Sequence, residues 1–136
     1  MRRKKQAFER ERQEARDQES RNKELKLARA TALALYPRYL AAAAVFHVAL
    51  EHGRYWHPSD VIDEPTSFED RKLLAAHMSR RDRELVVRAE IMMQRTIETR
   101  RRSDEWSEKA AEAIRDSLGR VESAWRALKT FGETDS

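Results

Sequence analysis

From Leu25 the chain places apolar side chains at Leu25, Ala28, Ala32, Leu35, Tyr39, Ala42, Phe46 and Leu50. The steps alternate between three and four residues, which is the period of one helix face. The pattern predicts a helix over residues 25–52. Pro37 falls inside it. Proline lacks a backbone donor and crowds the preceding turn, so a kink or break is expected near Tyr36. Gly53 follows the last periodic position and suits the left-handed residue that closes a helix.

Residues 54–66 carry two prolines and read as the long loop of the chain. Thr66 stands three residues before Glu69, a capping box, and Ser67 with Asp70 is an overlapping alternative. A third helix is predicted over 67–101, with a narrow stripe of Leu74, Met78, Leu85, Ala89, Met92 and Thr96. Ser103, Asp104 and Glu105 then read as a cap and an acidic first turn. The fourth helix, 104–131, carries Trp106, Ala110, Ile114, Leu118, Val121, Trp125, Leu128 and Phe131, and Gly132 is expected to end it.

Folded back at residues 102–103, helices three and four would pair Thr96 with Ala110, Met92 with Ile114, Leu85 with Val121 and Met78 with Leu128. Arg81 would face Trp125 in a cation–π contact. Arg81, Arg88, Arg95 and Arg102 recur every seven residues. Glu105, Glu108, Glu112 and Asp116 line the facing edge, which predicts interhelix ion pairs of the coiled-coil kind. One unbroken helix pairing antiparallel with a second copy would satisfy the same pairings.

These patterns predict an all-α fold: an antiparallel helical bundle or hairpin with a long charged N-terminal helix or arm. The arm is residues 1–24 and the bundle domain 25–136. The expected core is Leu33, Leu35, Leu40, Phe46, Leu50, Leu74, Met78, Leu85, Met92, Ile114, Leu118, Val121, Trp125 and Leu128.

Composition narrows the chemistry. With 136 residues the chain fits one domain. The absence of Cys excludes disulfides, thiolate metal sites and a cysteine nucleophile. With 3 Gly, neither a GxxxxGK[ST] nor a GxGxxG phosphate loop occurs. Net charge is +4, but it alternates along the chain: +5 over residues 1–29, −4 over 30–70, +6 over 71–102 and −3 over 103–136. Successive blocks can attract one another, so no outside polyanion is needed to explain them. Residues 30–50 are apolar enough to raise a membrane span. Eight of them are Ala, and Pro37, Arg38 and His47 interrupt the run, so a core helix and a cytoplasmic protein, or one within a phage or bacterial assembly, are the expectation.

Candidate sites are few. Residues 2–24 have almost nothing apolar to bury, so they are expected to be a solvated helix or tail, or an arm ordered by a partner. Arg2, Arg3, Lys4, Lys5, Arg10 and Arg12 are the candidates for contacting a polyanion. Tyr55, Trp56 and His57, with Asp60, Asp63 and Glu64 nearby, are either partner anchors or a cap on the bundle end. Leu73, Val87 and Ile91 lie off the helix-three stripe and are candidates for a second apolar surface. His47 and Glu51 share a helix face, half of a metal site, but no HExxH or ExxH motif is present. No cofactor, metal or small-molecule substrate is implied, and no nucleophile–base pair stands out. The expected function is a non-enzymatic, self-associating adaptor or assembly subunit acting as a homo-oligomer or within a protein complex. The alternative is a nucleic-acid-binding accessory protein using the basic arm.

Overall fold

The structure, a computed structural model, describes residues 2–57 and 66–134, and the side chains of all of these except residues 2 and 3. Asp60, Asp63 and Glu64 lie outside the described residues. Four helices follow in order: α1 (Arg2–His52), α2 (Phe68–His77), α3 (Arg80–Arg102) and α4 (Glu108–Glu133). The fold is all-α, with no strand among the described residues. Helix α4 is the hub: α1 and α3 both pack on it, α2 lies against α1 and touches α3, and α1 and α3 do not pack backbone to backbone.

The stripe read in the first helix is its buried face: Ala28, Ala32, Leu35, Tyr39, Ala42, Phe46 and, beside them, Ala43 and Ala49. Helix α4 answers with Ala110, Ala111, Ile114, Ser117, Val121, Ala124 and Leu128. Much of this contact is alanine and serine, which lets two helix backbones approach closely while still excluding water. Near the end of α4 the approach is closest. A Cβ on Gly132 would lie 2.6 Å from Leu33 Cγ and 3.1 Å from the Arg29 carbonyl oxygen. Gly132 is therefore a contact residue inside α4 rather than its terminator.

Helix α1 does not break at Pro37. The proline is exposed, so its missing donor falls on the solvent side, while Leu35 and Tyr39 beside it are buried. The helix does end at Gly53, which has φ +64°. The Arg54 amide donates to the Ala49 carbonyl at 3.1 Å, the long-range bond of a Schellman motif.

Of the two overlapping caps read for α2, the structure takes Ser67, which accepts from the Asp70 amide at 3.2 Å. The α4 cap differs from expectation. Ser107, not residues 103–105, caps α4 by accepting from the Ala110 amide at 3.0 Å. Ser103 instead closes α3 and accepts from the Glu105 amide at 3.2 Å. Trp106 thus belongs to the linker and not to α4.

The segment read as one helix over 67–101 is two. Met78 is extended, and Ser79 caps α3 by accepting from the Asp82 amide at 3.2 Å. A break resets helical phase, so a stripe counted through Met78 misplaces Leu85 and Met92, whereas Ala89 and Thr96 of the same stripe are buried as expected. The buried positions of α3 are Val86, Ala89, Glu90, Met93 and Thr96, and Leu85 and Met92 are only partly buried. The register corrects with it. Ser117, not Ala110, meets Thr96: their hydroxyls lie 2.6 Å apart, and Ser117 also donates to the Met92 carbonyl at 3.3 Å. Ser117 lies two helical turns beyond Ala110, which presents the same face, so periodicity alone does not separate these pairings. The longer linker, which holds residues 103–107 outside the helices, decides between them.

Leu33 and Leu40, expected in the core, are exposed. Leu40 sits off the alanine-lined face that α4 takes, and Leu33 lies at its edge, beside Gly132. The interhelix charge ladder is also absent among the described residues. Arg102 pairs with Glu98, Asp116 with Arg120 and Glu108 with Arg115, each within its own helix. Trp125 carries Arg126 at 5.5 Å rather than Arg81. Exposed pairs of this kind contribute about 0–1 kcal/mol each, so they do not set the register.

The two helical glycines should respond oppositely. A Cβ on Gly119 meets nothing within 4 Å. Gly119→Ala should raise stability by about 0.5–1 kcal/mol through helix propensity. Gly132→Ala should lower it, because Leu33 and the Arg29 carbonyl stand in the way. Urea unfolding of the two variants checks this, and equal gains would show that the α1–α4 approach is not close there.

Candidate functional site

The most constrained polar cluster surrounds Glu90. This residue is 4% exposed, on the inner face of α3. Tyr39 of α1 donates its hydroxyl to Glu90 Oε1 at 2.7 Å. The Thr66 amide donates to the same oxygen at 3.3 Å, and the Thr66 hydroxyl lies 3.1 Å from the Tyr39 hydroxyl. Arg71 of α2 brings Nε to Glu90 Oε2 at 2.9 Å. One carboxylate thus gathers groups from α1, α2 and the segment before α2. A buried charge is tolerated only when paired and hydrogen-bonded, and here it is both. Burial pushes the Tyr39 hydroxyl well above the ordinary tyrosine range, and the negative charge of Glu90 adds to the effect. Tyr39 therefore stays a neutral donor at physiological pH. Ring and carboxylate are closed off from solvent, so the cluster is a structural tie rather than a place for substrate.

Sequence periodicity flagged Tyr39 as apolar stripe and passed over Glu90 and the buried role of Thr66. The available signal was a glutamate directly following Ala89 on the α3 stripe. In a helix so rich in charge that signal is weak.

A second cluster closes one end of the bundle. Tyr55 and Trp56 meet edge to face at 5.6 Å, Tyr55 and Trp106 at 5.4 Å, and Phe46 and Trp56 at 5.6 Å in a tilted pair. Arg100 lies over Trp56 at 5.3 Å and donates to the Trp56 carbonyl at 2.6 Å. These contacts are those of a bundle cap, with both rings partly buried. His57 is exposed beside them. An open groove of about 760 Å³ runs there between Ala44, Val48, Trp56, His57 and Arg100. Sequence reasoning did not connect Trp106 or Arg100 to this end, because both come from the far side of the chain.

The other candidate residues are spread out. Lys4, Lys5, Arg10 and Arg12 are exposed on α1, and Arg12 lies over the Phe8 ring at 4.6 Å. The side chains of Arg2 and Arg3 lie outside the described residues. Residues 4–24 are exposed throughout, and Glu24 at the end of this stretch lies 3.6 Å from His77 of α2. Leu73 is partly buried on α2, whereas Val87 and Ile91 are exposed, one turn apart on α3. His47 and Glu51 are exposed or at the exposed edge of α1. Among the described residues no three His, Asp or Glu side chains converge as a metal site would require.

The outer side of α1 is a surface the sequence reading overlooked. Leu27 is 59% exposed, Leu33 38%, Leu40 44% and Val48 51%. Ala30, Ala34, Pro37, Ala41 and Ala44 are exposed among them. Over Lys4–His52 this helix is long and apolar enough to cross a membrane by length and composition, although a third of its most apolar window is buried within the bundle. A helix apolar on both sides has one face more than a single packing partner can cover.

Loss of the Tyr39 hydroxyl should be measurable in stability and in its pH dependence. Tyr39→Phe should cost about 1–3 kcal/mol by leaving Glu90 short of a donor. In the native chain Tyr39 stays protonated while the unfolded chain can ionise above about pH 10. Its contribution is therefore full below that pH and declines as pH rises beyond it. Tyr39→Phe should remove that part of the alkaline loss. Urea midpoints at pH 7 and above pH 10 test this, and parallel curves for the two proteins would contradict it.

No family model, curated protein or solved structure matches this chain.

Proposed function

We propose that this chain is a non-enzymatic helical interaction module, a self-associating adaptor or assembly subunit. The observation that carries the reading is the outer face of α1, where leucine, valine and alanine stand exposed opposite the buried face. Burial of apolar area contributes about 25 cal/mol per Å², so a face of this length has a strong tendency to be covered. Val87 and Ile91 add a smaller apolar spot on α3. The buried polar side chains Glu90, Tyr39, Thr66, Thr96 and Ser117 are engaged by one another and by Arg71, which supports a packing role for them.

A nucleic-acid-binding accessory role is the second reading. It is favoured by the arm, since residues 2–24 form a helix projecting about 33 Å from the bundle, with basic side chains exposed. Against it, Glu9, Glu11 and Glu14 interrupt the basic run.

Solution mass at increasing concentration, at low and high salt and with a mixed oligonucleotide, separates the two. The expected result is a mass above the 16.0 kDa of one chain, rising with concentration and changed little by salt. Phosphate contacts would instead weaken steeply with salt. A monomer at every concentration would overturn the first reading. Oligonucleotide binding lost on deletion of residues 1–12 would establish the second.

A further inference from the structure

We infer that the occupant of the outer α1 face is the same face of a second copy of this chain, packed antiparallel about a two-fold axis near Pro37. This deepens the self-association reading and rests on it.

The exposed positions Leu27, Ala30, Ala34, Pro37, Ala41, Ala44 and Val48 follow steps of three, four, three, four, three and four. That is the seam of a two-helix coiled coil, and it runs about 32 Å along the helix. The seam is close to palindromic. An antiparallel pair centred on Pro37 sets Leu27 against Val48, Ala30 against Ala44 and Ala34 against Ala41. Large residues meet at the ends, and small ones near the axis let the backbones approach. A two-fold axis also brings the same edge of each helix together, so Leu33 of one copy neighbours Leu40 of the other. Both are exposed on a single edge of the seam.

Charge selects this arrangement over a parallel one. Lys23 stands fourteen residues before Pro37 and Glu51 fourteen after it, each continuing the seam spacing. The antiparallel pair puts Lys23 of each copy beside Glu51 of the other, twice. A parallel pair would place lysine on lysine and glutamate on glutamate. Lys23 already approaches Glu19 at 3.6 Å, but its side chain remains 76% exposed and can take the second partner. Such an isologous contact closes on itself, giving a dimer rather than a filament.

Sedimentation equilibrium on full-length variants tests the assignment. Ala41→Glu puts a charge beside the axis on an exposed helical position, where the monomer fold tolerates it. It should raise the dissociation constant by roughly tenfold or more, since an unpaired buried charge is costly. Lys23→Glu alone and Glu51→Lys alone should each weaken the dimer, and the double variant should restore it. Ala75→Glu, at an exposed position of α2, should leave it unchanged. Circular dichroism confirms that each variant stays helical. A wild-type chain that is monomeric throughout overturns the self-association reading itself. An oligomer insensitive to Ala41→Glu, or one dissociated by Ala75→Glu, leaves that reading standing and overturns this face. A double charge swap that fails to rescue overturns the antiparallel pairing. A chain monomeric in solution that binds mixed anionic and zwitterionic lipid vesicles, and loses that binding in Ala41→Glu, would assign the face to a membrane surface instead.

Discussion

A buried carboxylate sets the terms for the rest of the bundle. Glu90 lies inside α3, whose backbone does not pack against that of α1, so side chains alone bridge the two helices. Its two oxygens are reached by Tyr39 from α1, by the Thr66 amide ahead of α2 and by Arg71 within α2. Helix α2 is only ten residues long, too short to persist on propensity, and Leu74 is its buried apolar anchor. The Glu90 cluster supplies the second attachment. Because a carboxylate left without these donors would be strongly unfavourable in the interior, the cluster specifies one placement of α2 rather than several. A purely apolar contact at the same place would tolerate sliding.

The core around this tie is built for close approach rather than bulk. Helix α1 gives alanine to α4 at Ala28, Ala32, Ala42 and Ala49, and α4 replies with Ala110, Ala111 and Ala124 and with Ser117. Phe46, Ile114, Val121 and Leu128 fill the remaining volume. The outer side of α1 repeats the idea, with alanines flanked by leucine and valine, but the described chain holds nothing to cover it. The same helix can therefore serve the fold with one face and an assembly with the other.

Much of the fold could be read along the chain and some of it could not, for identifiable reasons. The α1 face from Ala28 to Phe46 and the α4 face through Ile114, Val121 and Leu128 are visible because long helices repeat their pattern several times. Gly53 is legible because a left-handed residue must follow a helix and glycine suits it. The break at Met78 is not legible, because Ser79 and Asp82 make a cap that looks like ordinary surface polarity inside a charged helix. That break displaces Leu85 and Met92 from the buried α3 face, and the linker of residues 103–107 separately shifts the register by two turns. Leu33 and Leu40 read as core because leucine outranks alanine in hydrophobicity, whereas a close helix contact prefers the smaller side chain. Glu90 was illegible because its partners come from sequence positions 19 to 51 residues away, and pairing at that range leaves no local signature. The bundle cap of Tyr55, Trp56, Trp106 and Arg100 is hidden in the same way.

Amide exchange across α2 in Glu90→Gln tests the central tie most directly. Glutamine keeps the size and one oxygen acceptor of glutamate but loses the charge that holds Arg71. The account predicts that amides of Phe68–His77 exchange on the order of ten- to a hundredfold faster, as loss of a charge-assisted contact implies, while the α3–α4 pair keeps its protection. Unchanged protection of α2, or an equal loss across all four helices, would contradict it.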